Sequence, residues 1–170
     1  MKNEITGMKL RLIVMNFLQF AVWGAYLTSM GTYLFNIGLG AKIGLFYAMQ
    51  GIVSLFMPAI MGIIADRWVP AQKLYGFCHF MAAVFMVAAG WYGYVDGEAV
   101  NFGTLFTFYS LSVAFYMPTL ALTNSVAYTA LDKVKLDPVI AFPPIRIFGT
   151  IGFICSMLLT DILGFQNNYM

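Results

Sequence analysis

Apolar residues run along this chain in five long blocks, at residues 12–35, 43–64, 74–94, 102–130 and 142–165. Each is long enough to cross a bilayer as a helix, which takes about 20 residues. Polar side chains inside the blocks fall at helical spacing. Gln19, Trp23 and Tyr26 stand at i, i+4 and i+7, and so do Arg146, Thr150 and Phe153. Tyr116, Thr119 and Thr123 share another face, with Asn124 one residue round. Residues so spaced lie on one side of a helix. The pattern predicts an all-α integral membrane protein of five transmembrane helices. Its first block is too long for a signal-peptide core and no soluble domain follows it, so it is a span and not a leader. The expected organisation is a cytoplasmic N-terminus at 1–11, five spans over 12–165 and the start of an external loop at 166–170.

Charge gives the spans a direction. Lys2, Lys9 and Arg11 precede the first block, Arg67 and Lys73 lie between the second and third, and Lys133 and Lys135 between the fourth and fifth. The opposite loops hold only Lys42, with Asp96 and Glu98 after the third block. Cations concentrate on the cytoplasmic side of membrane proteins, so the N-terminus is expected inside. Composition agrees with a membrane location: 61% of residues are hydrophobic, only 9% are charged, and mean hydropathy is +0.81. A soluble domain carries about 25% charged residues. Cys78 and Cys155 lie in apolar runs without metal-ligand spacing, and read as small packing residues. The sequence carries no HExxH, GxSxG or P-loop pattern, and no catalytic residue, metal or cofactor is expected. Nor is a nucleic-acid partner.

Arg146 is the exception to this apolar pattern. A cation in hydrocarbon costs about 3 kcal/mol even on the lenient insertion scales, so it needs a partner or a ligand. Its depth depends on where its helix starts. If Asp137 caps the helix and Pro138 takes the first position, Arg146 lies roughly 13 Å in, near the middle of a roughly 30 Å core. If the helix starts at Pro143, the side chain reaches the headgroups and snorkels. Gln19 and Trp23 also carry two readings. An indole can stack on a flat ligand and an amide can read its polar atoms, yet both types also serve as helix-interface residues. His79 lies near the cytoplasmic end of the third span, where a hydrogen-bonded packing role is expected. Gly149 and Gly152 beside Thr150 suit close packing of the fifth span on a neighbour.

Gly62-Ile-Ile-Ala-Asp66-Arg67, followed by Lys73, resembles the loop between the second and third spans of the major facilitator superfamily, without that family's later glycine and arginine pair. Gly62 would let two helices approach, and Asp66 and Arg67 would hold their cytoplasmic ends. Four strings narrow the resemblance: Phe17-Leu-Gln-Phe-Ala-Val-Trp-Gly24, Met57-Pro-Ala-Ile-Met-Gly-Ile-Ile-Ala-Asp66, Tyr116-Met-Pro-Thr-Leu-Ala-Leu-Thr-Asn124 and Phe142-Pro-Pro-Ile-Arg-Ile-Phe-Gly-Thr-Ile-Gly-Phe153. Together they resemble the bacterial nucleoside:proton symporters of that superfamily, over nearly the whole chain. The resemblance implies a twelve-span transporter of which these are the first five spans, most of the N-terminal half, with the C-terminal half missing. It implies import of nucleosides with protons by alternating access across the inner membrane. It places Arg146, Thr150 and Phe153 at the nucleoside site, and Gln19 and Trp23 are expected to join them. No carboxylate lies mid-span, so the proton-coupling group is expected in the missing half. Two other readings stand beside it: a sugar or oligosaccharide symporter of the same superfamily, and a non-transporting membrane partner subunit.

Overall fold

The computed structural model describes residues 2–96 and 99–165. The expected external loop at 166–170 and the pair Gly97 and Glu98 lie outside them. The elements in chain order are α1 (Lys2–Leu27), α2 (Ser29–Asn36), a 3-10 turn (Gly40–Lys42), α3 (Ile43–Arg67), α4 (Ala71–Asp96), α5 (Phe102–Lys133) and α6 (Pro138–Ile162). Five helical stretches are long and apolar enough to cross a membrane: Asn3–Asn36, Gly40–Arg67, Ala71–Asp96, Phe102–Lys133 and Pro138–Ile162.

Most helices extend a few residues beyond the apolar blocks, and three other differences from the sequence reading have a physical reason. Residues expected as a cytoplasmic tail are already helical from Lys2 and continue without a break into the first span. Met8 and Leu12 explain it: Leu12 is buried in a cluster with Ala127, Leu131, Phe142 and Ile145, and Met8 packs against that cluster. The first span is interrupted at Thr28, which separates α1 from α2. Gly24, Thr28, Ser29 and Gly31 are weak helix formers crowded into two turns, and the Thr28 hydroxyl turns back to the Gly24 carbonyl at 3.5 Å. The last helix stops at Ile162, short of residue 165. Gly164 follows with φ +69°, the left-handed residue that commonly ends a helix.

The start of α6 is decided by its cap. The Asp137 side chain accepts a hydrogen bond from the Val139 amide at 2.9 Å, and Pro138 takes the first helical position. The helix runs on through Pro143 and Pro144.

The helices form two compact units. One comprises α1, α5 from Thr123 onward, and α6; the other runs from Ser29 to Leu122. Both expose apolar side chains, such as Leu18 and Val22 on α1, Leu55 and Phe56 on α3, and Ile147 and Leu158 on α6. Facing lipid tails, such residues lose nothing by exposure, so helices associate through van der Waals packing and hydrogen bonds. Trp68 just beyond α3, and Trp91 and Tyr94 near the end of α4, are also exposed, as expected for aromatic side chains at a membrane interface.

Within the second unit, Phe46 is fully buried, with the rings of Phe102, Phe106 and Tyr109 at 6.1, 5.2 and 5.0 Å. Gln50 donates to the Tyr109 hydroxyl at 2.5 Å, and Ser112 to the Ala82 carbonyl at 2.7 Å. His79 keeps its Nδ1 3.1 Å from the Tyr75 carbonyl, with its ring against Tyr75 and Tyr116. That is the packing arrangement expected of it. Around Gly62 the helix surface is open among the described residues. A Cβ placed on Gly62 would meet nothing within 4 Å, so no close helix approach occurs there among the described residues. Asp66 and Arg67 are both exposed at the end of α3.

Candidate functional site

α1 packs mainly along α6, and glycines set the distance. A Cβ on Gly152 would strike the Phe17 carbonyl oxygen. One on Gly24 would strike the Phe153 carbonyl oxygen and lie 2.5 Å from the Ser156 hydroxyl. The two backbones therefore touch, a small-residue seam of the kind that gives membrane helices their van der Waals contact. Gly152 does what its sequence context suggests. Gly24 is the partner the sequence reading missed, although it stands at the end of a quoted string.

Beside this seam lies Arg146. Its guanidinium carbon sits 3.8 Å from the centroid of the Phe20 ring, a cation–π contact. One guanidinium nitrogen lies 2.8 Å from the point that a Gly149 Cβ would occupy. Gly149 thus makes room for the cation, and Phe20 forms its floor. The side chain leans toward the turn C-terminal to it, away from the Asp137 end of α6, whereas a snorkelling arginine would lean toward that end. Counted from the Asp137 cap, Arg146 lies about 13 Å along the axis at 1.5 Å per residue. Each described carboxylate lies within a turn of an end of its own helix: Glu4, Asp66, Asp96, Asp132, Asp137 and Asp161. None on α6 or α1 shares the depth of Arg146.

Around the cation stand aromatic rings. Trp23 meets Phe153 edge-on at 5.9 Å and Phe20 at 6.3 Å. The Trp23 indole nitrogen is buried and finds no hydrogen-bond partner among the described residues. Seven residues earlier on the same face, Asn16 is fully buried. Its amide nitrogen donates to the Leu12 carbonyl at 2.9 Å, while its amide oxygen has no partner among the described residues. A donor and an acceptor left unpaired in one helix face are unusual, because nearly all buried polar groups are satisfied.

The structure brings together four of the five predicted site residues on one wall and sets the fifth behind it. Arg146 and Phe153 are half-buried, Thr150 is exposed on the same face of α6, and Trp23 faces Phe153. Gln19 is buried, and its amide oxygen accepts from the Thr123 hydroxyl at 3.3 Å, pinning α1 to α5. Tyr116 and Thr119 are also buried, with the Thr119 hydroxyl spent on the Tyr116 carbonyl at 2.6 Å. The sequence reading missed Asn16 and Phe20. Their spacing from Trp23, i−7 and i−3, was the available signal.

A body of bilayer-length helices with a polar, aromatic wall set into it defines a multi-pass membrane protein with a candidate solute site. Comparison with known proteins narrows the class. The model of the nucleoside H+ symporter family matches residues 6–168. Xanthosine permease of Escherichia coli is 42% identical over 91% of this chain, and nucleoside permease NupG of the same bacterium 39% identical over 96%. Crystal structures of nucleoside transporter NupG superpose with TM-scores of 0.87, for a mutant, and 0.85, each covering 96% of this chain. The chain belongs to the nucleoside H+ symporter family. It spans 36% and 38% of the lengths of the two permeases, and 39% of the crystallised NupG chain.

Proposed function

We propose that this chain forms most of the N-terminal half of a twelve-helix transporter that imports nucleosides with protons by alternating access across the bacterial inner membrane. The observation that carries the reading is Arg146: a guanidinium well inside α6, held on the Phe20 ring and displayed beside Thr150 and Phe153. Family membership supplies the substrate class. A nucleoside is neutral, flat at one end and rich in hydroxyls at the other. The Arg146 fork would donate to base or ribose oxygens, and Thr150 would add a hydrogen bond. Phe153 and Trp23 would supply ring surface, and the unpaired Trp23 N–H a donor. Gln19, held by Thr123, would position Trp23 and Phe20 from behind. Its direct contact with substrate would require that bond to open. The relatives are permeases, and the reading is of a carrier and not an enzyme.

Proton coupling needs a titrating group at the depth of the site, and α1 and α6 offer none. We place it in the other half of the transporter, opposite Arg146. The distribution of cations along the sequence, seven in the segments before α1 spans the membrane, between α3 and α4 and between α5 and α6 against Lys42 between α2 and α3, supports a cytoplasmic N-terminus.

The test is uptake by the complete gene product in vesicles with an imposed proton gradient. Uridine should accumulate and should compete with other nucleosides; glucose should not compete. Competition by glucose without competition by uridine would move the assignment to sugars. A reporter fused after Lys73 should lie inside and one fused at Gly97 outside.

A further inference from the structure

At the far end of the same unit from the aromatic wall lies a cavity of about 690 Å³, between the first turns of α1 and the turn joining α5 to α6. Its floor is apolar: Ile5, Met8 and Val134 line it, and Met8 packs on the buried cluster beneath. Its rim is cationic, with Arg11, Lys133 and Lys135, all exposed, against the single carboxylate of Glu4. These three cations sit where the charge-free parts of α1, α5 and α6 begin or end, which is the level of lipid headgroups.

Lys135 adds an independent oddity. It is the one described residue other than glycine with positive φ, at 56°. The turn holding it is closed by three backbone bonds: Val134 and Leu136 amides to the Leu131 carbonyl at 3.1 Å, and the Lys135 amide to the Asp132 carbonyl at 2.9 Å. A helix that ends this way ordinarily places glycine or asparagine at the left-handed position, because a side chain there is strained. A strained conformation held by its surroundings is a reason to look for what the side chain does.

We infer that this cavity binds the headgroup of an anionic phospholipid. The basic rim would hold the phosphate and the apolar floor the first methylenes of the acyl chains. An amphipathic pocket suits an amphipathic ligand; a free phosphate ion would use the rim and gain nothing from the floor. Basic pockets at the cytoplasmic ends of membrane helices are suited to such headgroups, and each cation near an anionic surface contributes about fivefold in affinity. Lys135 keeps its side chain at a glycine position because its ammonium completes the rim.

The complete transporter in nanodiscs, or delipidated and titrated in detergent, tests this with phosphatidylglycerol, phosphatidylcholine and inorganic phosphate as separate probes. Phosphatidylglycerol should bind at least tenfold more tightly than phosphatidylcholine, and millimolar phosphate should not displace it. Displacement by phosphate would replace the lipid with an anion site and overturn the inference. Arg11→Gln, Lys133→Gln and Lys135→Gln should each weaken phosphatidylglycerol binding about fivefold. Lys73→Gln, the same charge change in a different loop of the same side, should leave it unchanged; an equal loss would mean diffuse surface charge and no site. Lys135→Gly separates binding from folding. It relieves the left-handed strain, so thermal stability in detergent should hold or rise while lipid affinity falls, and unchanged affinity would overturn the role of the cation. These readouts do not depend on uptake, so they stand or fall apart from the transport assignment.

Discussion

The two units solve the same packing problem differently. In the second, between Ser29 and Leu122, aromatic bulk fills the interior around Phe46, and the deep polar groups are paired: Gln50 with Tyr109, Ser112 with Ala82. In the first, glycines replace bulk. Backbones touch at Gly24 and Gly152, a cation rests on Phe20, and Asn16 and Trp23 each keep one buried polar atom unpaired. Ser110 in the second unit also has a hydroxyl unpaired among the described residues. A paired polar group glues helices, while an unpaired buried one keeps binding capacity in reserve. Under the proposed function, the first unit is the substrate-facing one.

The largest effect should come from the cation itself. Arg146→Lys keeps the charge but loses the planar fork, so nucleoside affinity should fall about 10- to 150-fold, the cost of a charge-assisted hydrogen bond. Expression should be intact. Near-normal binding in a direct titration would remove Arg146 from the site and erase the contrast between the units.

Next come the glycines. Gly152→Ala pushes a methyl into the Phe17 carbonyl, and overpacking of this kind costs about 1–3 kcal/mol. Gly62→Ala meets open space and improves helix propensity by about 1 kcal/mol. Thermal unfolding in detergent should therefore move in opposite directions for the two. Equal behaviour would mean that the seam is not what joins α1 to α6.

In the second unit, Gln50→Leu leaves the buried Tyr109 hydroxyl without its partner, at a cost of about 1–3 kcal/mol. Stability should drop while the nucleoside affinity of the folded fraction stays put. A selective loss of affinity would show that this unit also carries substrate contacts.

The smallest effects sharpen the wall. Thr150→Val removes one neutral hydrogen bond at nearly constant shape, about tenfold or less in affinity. Trp23→Phe keeps a ring face but loses the N–H, and should cost less than Trp23→Ala. If both cost the same and insertion suffers, Trp23 is a packing residue only.

The sequence by itself determined the spans, because about 20 apolar residues in a row have few other uses, and it supplied the expected direction, because cations resist crossing. It also put Arg146, Thr150 and Phe153 on one face, since a period of 3.6 is local geometry. The Asp137–Pro138 start was legible as one of two possibilities, and the cap bond at Val139 chose between them. What only the tertiary structure decided depends on neighbours distant in the chain. Gly62 and Gly152 look alike in sequence, but only Gly152 has a carbonyl against it. Gln19 and Trp23 share a face, yet Thr123, 104 residues away, takes up the first and nothing among the described residues takes up the second's N–H. Phe20 passed for one more apolar residue until α6 brought a guanidinium onto its ring. Periodicity fixes which way a side chain points along its own helix; the partner that meets it is set by helix packing, which no local pattern encodes.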